Sequence, residues 1–155
     1  MSLAARVLAA LAMPLLAQVA VRHGADSVFA GPDVGIVWGV LKGETEDKTL
    51  VVIRVNNPAR RYAWIKVEGV DPFTQRRLDV VAGMPIAGHA DIRSPRTTFA
   101  DWPRREIHLY ATEADWRTGR PALTVYYLGV PDTTPEFTTE AALEQYLGSR
   151  PSPRH

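Results

Sequence analysis

The sequence contains no cysteine. That absence excludes disulfides, thiolate nucleophiles, cysteine-ligated zinc, iron–sulfur clusters and haem attached through Cys-x-x-Cys-His. It also excludes the lipid-bearing cysteine of a bacterial lipoprotein. A domain without covalent staples must be held by packing alone, which a 155-residue chain is long enough to achieve. Lysine is scarce as well: Lys42, Lys48 and Lys66 are the only ones. The arginines that replace it are scattered along the chain rather than gathered in one run. Formal net charge is +1, and it moves nearer zero without Arg6, Arg22 and Asp26 at the N-terminal end. A near-neutral domain is poorly suited to sequence-independent nucleic-acid binding, which depends on neutralising phosphates, so no nucleic-acid partner is expected.

Known catalytic motifs are missing too. There is no Gly-x-Ser-x-Gly elbow, no phosphate loop and no His-Glu-x-x-His. Ser27, Ser94, Ser149 and Ser152 lie outside any nucleophile context. A pair of carboxylates for glycoside hydrolysis would need a cleft that a domain this small rarely builds. These absences favour binding over catalysis, and no cofactor is expected.

Only one long apolar stretch is present. After Met-Ser-Leu-Ala-Ala-Arg, residues Val7 to Val21 are apolar except Gln18. The length fits the hydrophobic core of a signal peptide and falls short of the ~20 residues of a membrane span. Pro14 would also disturb a spanning helix. Residues 1–25 are therefore expected to be a signal peptide, cut between residues 20 and 30, and the remainder to be periplasmic. Gln18 is too large for a clean small-x-small cleavage signal before Ala20. An uncleaved segment, tethering a structural subunit to the membrane, is the competing reading.

From Val34 onward, short β-forming runs alternate with turn signals. Val34–Leu41 and Thr49–Val55, joined by the polar Gly43–Asp47 loop, read as a hairpin. Tyr62–Val70 follows Asn56-Asn57-Pro58, with Ala63, Ile65 and Val67 on one face and a wetter face carrying Lys66 and Glu68. Phe73–Val81 is a weaker strand, broken by Gly83-Met-Pro85. Ala87–Arg93, a short edge piece at Thr97–Ala100, Arg105–Thr112 and Ala122–Val130 complete the set. Thr138 or Thr139 caps a helix over 138–148 whose stripe is Ala142, Leu143, Tyr146 and Leu147, with Gly148 as its stop. The expected fold is all-β: an antiparallel β-sandwich of about seven to eight strands with one short C-terminal helix. The domain spans 31–148, and 149–155 is expected to be a disordered tail.

Three sets of residues could carry function. His89 and Asp91 share a strand face, and His108 lies on a later strand; if the two strands were neighbours, these groups could hold a metal. Separate surface histidines would look the same in sequence. The arginine pairs Arg60-Arg61, Arg76-Arg77 and Arg104-Arg105 fall near strand ends, where clustering would create a surface for an anion or an acidic partner. Solvated edge residues are the plainer account. Finally, Trp102 and Trp116 occupy loops, in Ala-Asp-Trp-Pro and Ala-Asp-Trp-Arg. Loop tryptophans beside arginines have the composition of a binding hot spot. Trp102, Trp116, Arg76, Arg77, Arg104 and Arg105 are thus the expected partner-binding residues.

The region Val34–Val130 resembles, in general look, the small exported bacterial sandwiches of immunoglobulin-like type. It lacks the Cys–Trp–Cys spacing of true immunoglobulin domains. The resemblance implies a fold and no particular activity. The combined expectation is a periplasmic sandwich serving as a non-catalytic binding or accessory module for another envelope protein. The alternative is a metal-binding protein or metal-dependent enzyme using His89, Asp91 and His108.

Overall fold

The computed structural model describes residues 18–22, 27–31, 34–129 and 134–149. Most of the expected signal segment, residues 1–17 and 23–25, lies outside them, as do residues 150–155 of the expected tail. The chain is mostly β, in two sheets packed face to face, with a short helix at the C-terminal end.

The strands in chain order are β1 (Gln18–Arg22), β2 (Ser27–Gly31), β3 (Val34–Leu41), β4 (Leu50–Asn56), β5 (Trp64–Val70), β6 (Arg77–Pro85), β7 (His89–Pro95), β8 (Arg104–Tyr110), β9 (Leu123–Leu128) and β10 (Glu136–Phe137). Among the described residues three α-helices accompany them, α1 (Arg96–Asp101), α2 (Glu113–Arg117) and α3 (Glu140–Ser149), with a 3-10 turn at Glu46–Lys48. Sheet A has the order β1-β9-β8-β5-β6. Sheet B has the order β10-β3-β4-β7, with β2 also paired to β3.

The expected β3–β4 hairpin forms, with Leu41 opposite Leu50 and Gly35 opposite Asn56. Two pairings depart from the antiparallel expectation: β1 runs parallel to β9, and β10 parallel to β3. Both are additions at a strand flank, made by segments distant in sequence, so no local signal announces them. β1 also spans part of the interval in which cleavage is expected.

Alternation explains the core. Ile36 and Trp38 from β3, Ile53 from β4, Ile65 and Val67 from β5, and Ile107, Val125 and Tyr127 from β8 and β9 meet between the sheets. The opposite face of β3 and β4 is dry as well, because α3 lies on it. Val37 and Val52 pack there against Leu143 and Leu147. This is why β3 reads as an almost unbroken apolar run: it is buried on both faces. Gly39 faces α3, and a Cβ there would come within 2.6 Å of Leu143 Cδ1; the glycine sets how closely the helix approaches. Thr139 caps α3, its Oγ1 accepting from Ala142 N at 3.1 Å. The helix passes through Gly148, the expected stop, to Ser149. Ser149, expected to begin the tail, is therefore helical.

Three further local expectations need correction. Thr97–Ala100 belongs to α1, not to an edge strand: Phe99 turns inward and packs beside Trp38 and Tyr127, closing one end of the core. Gly83-Met-Pro85 does not break β6. The strand continues through it with register shifts against β5, and Gly83 absorbs them at φ +152°. Trp116, expected in a loop, lies instead on α2, which Thr112 caps with its Oγ1 accepting from Asp115 N at 3.1 Å.

Candidate functional site

The outer face of sheet A carries every second residue of three adjacent strands: Lys66 and Glu68 on β5, Arg104, Glu106 and His108 on β8, and Thr124, Tyr126 and Leu128 on β9. Register places Glu68 opposite Glu106, and His108 between Lys66 and Thr124. His108 Nδ1 lies 2.9 Å from Thr124 Oγ1, and its Nε2 lies 2.8 Å from Glu68 Oε2. Arg77, at the start of β6, reaches across and donates to Glu106 Oε1 at 2.8 Å and Glu68 Oε2 at 3.4 Å. Those bonds hold its guanidinium above the usual arginine value, the Glu106 bond first. Arg104 Nη2 adds an ion pair to Glu106 Oε2 at 2.9 Å. The face expected to be wet is a mutually neutralised network in which Glu68 and Glu106 are buried.

The same strands end in a different surface. The β5–β6 turn is built on Asp71, whose Oδ1 accepts from Phe73 N at 2.8 Å and Thr74 N at 3.3 Å. The backbone bond from Phe73, chiefly, holds this carboxyl below its ordinary value. The turn lifts Phe73 into solvent, where it is 93% exposed. Leu128 at the end of β9 is 39% exposed and Leu78 near the start of β6 is 37% exposed. These are the exposed large hydrophobic residues among the described residues, all at one end of sheet A but on different faces: Leu128 pairs with the outward Arg104, whereas Leu78 pairs with Gly69 in the row of the inward Arg105. Arginines border them on aromatic rings: Arg76 lies 5.7 Å from the Trp102 ring and Arg104 lies 5.0 Å from the Tyr126 ring. A cavity of about 390 Å³ opens here, with Arg104, Tyr126, Tyr127 and Leu128 in its wall.

The expected partner-binding set therefore divides. Trp102, Arg76, Arg77 and Arg104 belong to this end of sheet A. Trp116 does not: it lies on α2, stacked on Trp64 at 4.4 Å between centroids and 11° between planes, and it donates from Nε1 to Ala82 O at 3.3 Å. Arg105 is no surface residue either. β8 begins one residue earlier, and alternation turns Arg105 between the sheets, where it is 1% exposed.

The structure does not bring His89 and Asp91 to His108. β7 lies in sheet B and β8 in sheet A. Asp91 is engaged by Arg54, and His89 is exposed opposite Asn56. His108 instead has Glu68 and Glu106 as neighbours, with ligand atoms all within 4.8 Å of one another. The alternation of Glu106 with His108 was visible in sequence; Glu68 could join them only through pairing of β5 with β8. Sequence reasoning also missed Phe73 and Leu128, because nothing local marks which apolar residues stay outside.

No family model, no curated protein and no solved structure matches this chain.

Proposed function

We propose that this chain is an exported, periplasmic sandwich of immunoglobulin-like type that binds another envelope protein through the end of sheet A. The observation that carries this reading is that one end of sheet A leaves Phe73, Leu78 and Leu128 exposed, with Arg104 on Tyr126 beside Leu128 on the outer face and Arg76 on Trp102 at the rim of the other face. Exposed apolar side chains bordered by aromatic rings and arginines have the composition of a hot spot. Strand ends and ring stacking restrict these side chains before contact, which lowers the ordering cost of binding. Export rests on the apolar run Val7–Val21 behind Arg6. Processing between residues 20 and 30 would remove all or part of β1 and free the β9 edge at Leu123–Tyr127, which runs into the same surface.

The test is recovery of crosslinked partner from periplasm. Phe73→Ser with Arg76→Glu should reduce recovery about tenfold or more, equivalent to at least about 1.4 kcal/mol, while the thermal midpoint stays near wild type. Arg120→Glu, an exposed arginine beside α2, should leave recovery unchanged. Equal losses in both variants would reduce the effect to net charge and remove this surface from consideration.

The 4.8 Å spacing within Glu68, Glu106 and His108 supports a second reading, a divalent metal held by two carboxylates and one imidazole. Arg77 occupies both carboxylates and would have to move aside. Calorimetric titration with zinc then distinguishes the readings: Arg77→Gln should bind the ion more tightly than wild type. Absence of binding heat in both proteins would end the metal reading.

A further inference from the structure

Arg105 stands opposite Gly69 on β5 and Tyr127 on β9, facing the interior. Its Cζ lies 4.4 Å from the Phe99 ring centroid. Trp38 and Tyr127 pack edge to face at 4.6 Å, and Phe99 lies 6.1 Å from Tyr127. None of the three guanidinium nitrogens of Arg105 has a hydrogen-bond partner among the described residues. Trp38 Nε1 and the Tyr127 hydroxyl, both buried, also have none. Burial pulls the Arg105 guanidinium below its usual value and pushes the Tyr127 hydroxyl well above its own.

A cation without a hydrogen-bond partner is costly in a protein interior. The ring of Phe99 offsets part of that cost and satisfies none of the N–H donors. What the cluster offers is donors: five N–H from arginine, one from indole and one hydroxyl, against a single acceptor oxygen on Tyr127. The complementary group is an anion with several lone pairs. The planar fork of a guanidinium matches the two oxygens of a carboxylate better than a spherical ion.

We propose that Arg105 is the anchor of an internal binding site for a small organic carboxylate, with Trp38 Nε1–H and the Tyr127 hydroxyl as the further donors. The way in lies past Trp102: a Cβ placed on Gly69 would lie 3.0 Å from Trp102 Cβ and 3.8 Å from Arg105 Nη1. Trp102 is therefore the nearest cover over the arginine. It is only half-buried, and its contact with the exposed Arg76 is weak at 5.7 Å. Moving it aside costs less than leaving the charge unpaired. The site shares Trp102 with the proposed partner surface, but its ligand contacts need neither Phe73 nor Leu78, and acetate binding is read without any partner.

The probe is sodium acetate, titrated into the full chain at constant ionic strength against sodium chloride. The Arg105 Nε–H resonance of wild type should shift saturably with acetate and remain unmoved by chloride. The thermal midpoint should rise with acetate in wild type and not in Arg105→Met. Without acetate, Arg105→Met should melt above wild type, because it removes an unpaired buried charge. Tyr127→Phe, which deletes one donor, should weaken acetate binding about three- to tenfold. The proposal is overturned if the resonance does not saturate, or if acetate raises wild type and Arg105→Met equally. A lower midpoint for acetate-free Arg105→Met would also overturn it, since the arginine would then have a partner within the chain. The resonance titration needs no variant, so the proposal stays testable if Arg105→Met fails to fold.

Discussion

Arg54→Ala is expected to lower the unfolding free energy by about 3 kcal/mol and to loosen α3 from sheet B. Arg54 lies on the outer face of β4, beneath the helix, and is 4% exposed. Its fork is filled on two sides. Nε and Nη2 donate to Asp91 at 2.7 and 2.9 Å, and Nη1 and Nη2 donate to Glu144 at 3.0 and 2.6 Å. The bond to Asp91 first, then that to Glu144, raises the guanidinium above its usual value. The arginine thus links strand β7, strand β4 and helix α3 through one planar group. Removing it leaves Asp91 partly buried without its hydrogen-bonded cation, while Glu144 turns to water. Breaking a buried pair commonly costs about 3–5 kcal/mol, and the residual exposure of Asp91 places this case at the low end. Urea unfolding measures the loss, and amide exchange over Leu143–Leu147 reports on the helix. A loss under about 1 kcal/mol, or unchanged protection of α3, would show that Leu143 and Leu147 alone dock it.

The same clamp sets a pH dependence. Arg54 holds the Glu144 carboxyl below its ordinary value, and Arg93 does the same for Glu140, donating at 2.8 and 2.7 Å. A carboxyl whose folded pKa is depressed stabilises the fold above its unfolded value, about 4.3 for glutamate, and that contribution is lost as pH falls through the folded value. Protection of α3 should therefore decline on acidification from about pH 4.3 downward. Both carboxylates are well exposed, so each share is modest. In Arg54→Ala the decline should be shallower, because the Glu144 share is already gone.

Gly83→Ala is expected to cost about 3 kcal/mol. Two independent effects coincide at this position. At φ +152° the backbone lies where residues other than glycine are strained, by about 1–3 kcal/mol. A Cβ would also overlap the Trp116 indole. The indole would have to leave its stack on Trp64, forfeiting about 0.5–1.5 kcal/mol beyond area burial. Gly119→Ala separates the two effects. Gly119 has φ +71° and no atom within 4 Å of a built Cβ, so it carries conformational strain alone. It should cost about 1 kcal/mol. Near-ultraviolet circular dichroism should lose the stacked-indole signal in Gly83→Ala and keep it in Gly119→Ala. Equal losses of stability and an intact signal in both would sink the steric account.

The three positions differ in how far sequence could foresee them. Trp116 beside Arg117 has the composition of an exposed anchor; only β6 passing beneath α2 makes it a structural ring. Arg105 reads as one of a surface pair because of its charge, yet it stands two residues before Ile107 and four before Leu109 and so shares their inward face, while Arg104 shares the outward face of Glu106. Asp91 reads as a metal ligand beside His89 and His108, but its partner is Arg54, distant in sequence and adjacent in the sheet. The β3–β4 hairpin and the α3 cap were legible because each depends on residues a few positions apart. The apolar density of β3 was visible too, although not that α3 supplies its second cover.

Sequence alone determined the exclusions and the faces. Without cysteine the domain has no covalent staple, and the period of two sorts inward from outward residues wherever a strand is regular. The C-terminal helix follows from its own cap and stripe. Tertiary structure decided the neighbours. Which strands share a sheet places His108 with Glu68 and Glu106 rather than with His89 and Asp91, leaves Phe73, Leu78 and Leu128 exposed at one end, and sets Arg105 between the sheets with no hydrogen-bond partner among the described residues. The physical reason is range. Side-chain alternation is a property of one strand's own backbone, whereas pairing is settled by competition among all the apolar faces of the chain, and polar residues meet only as a consequence.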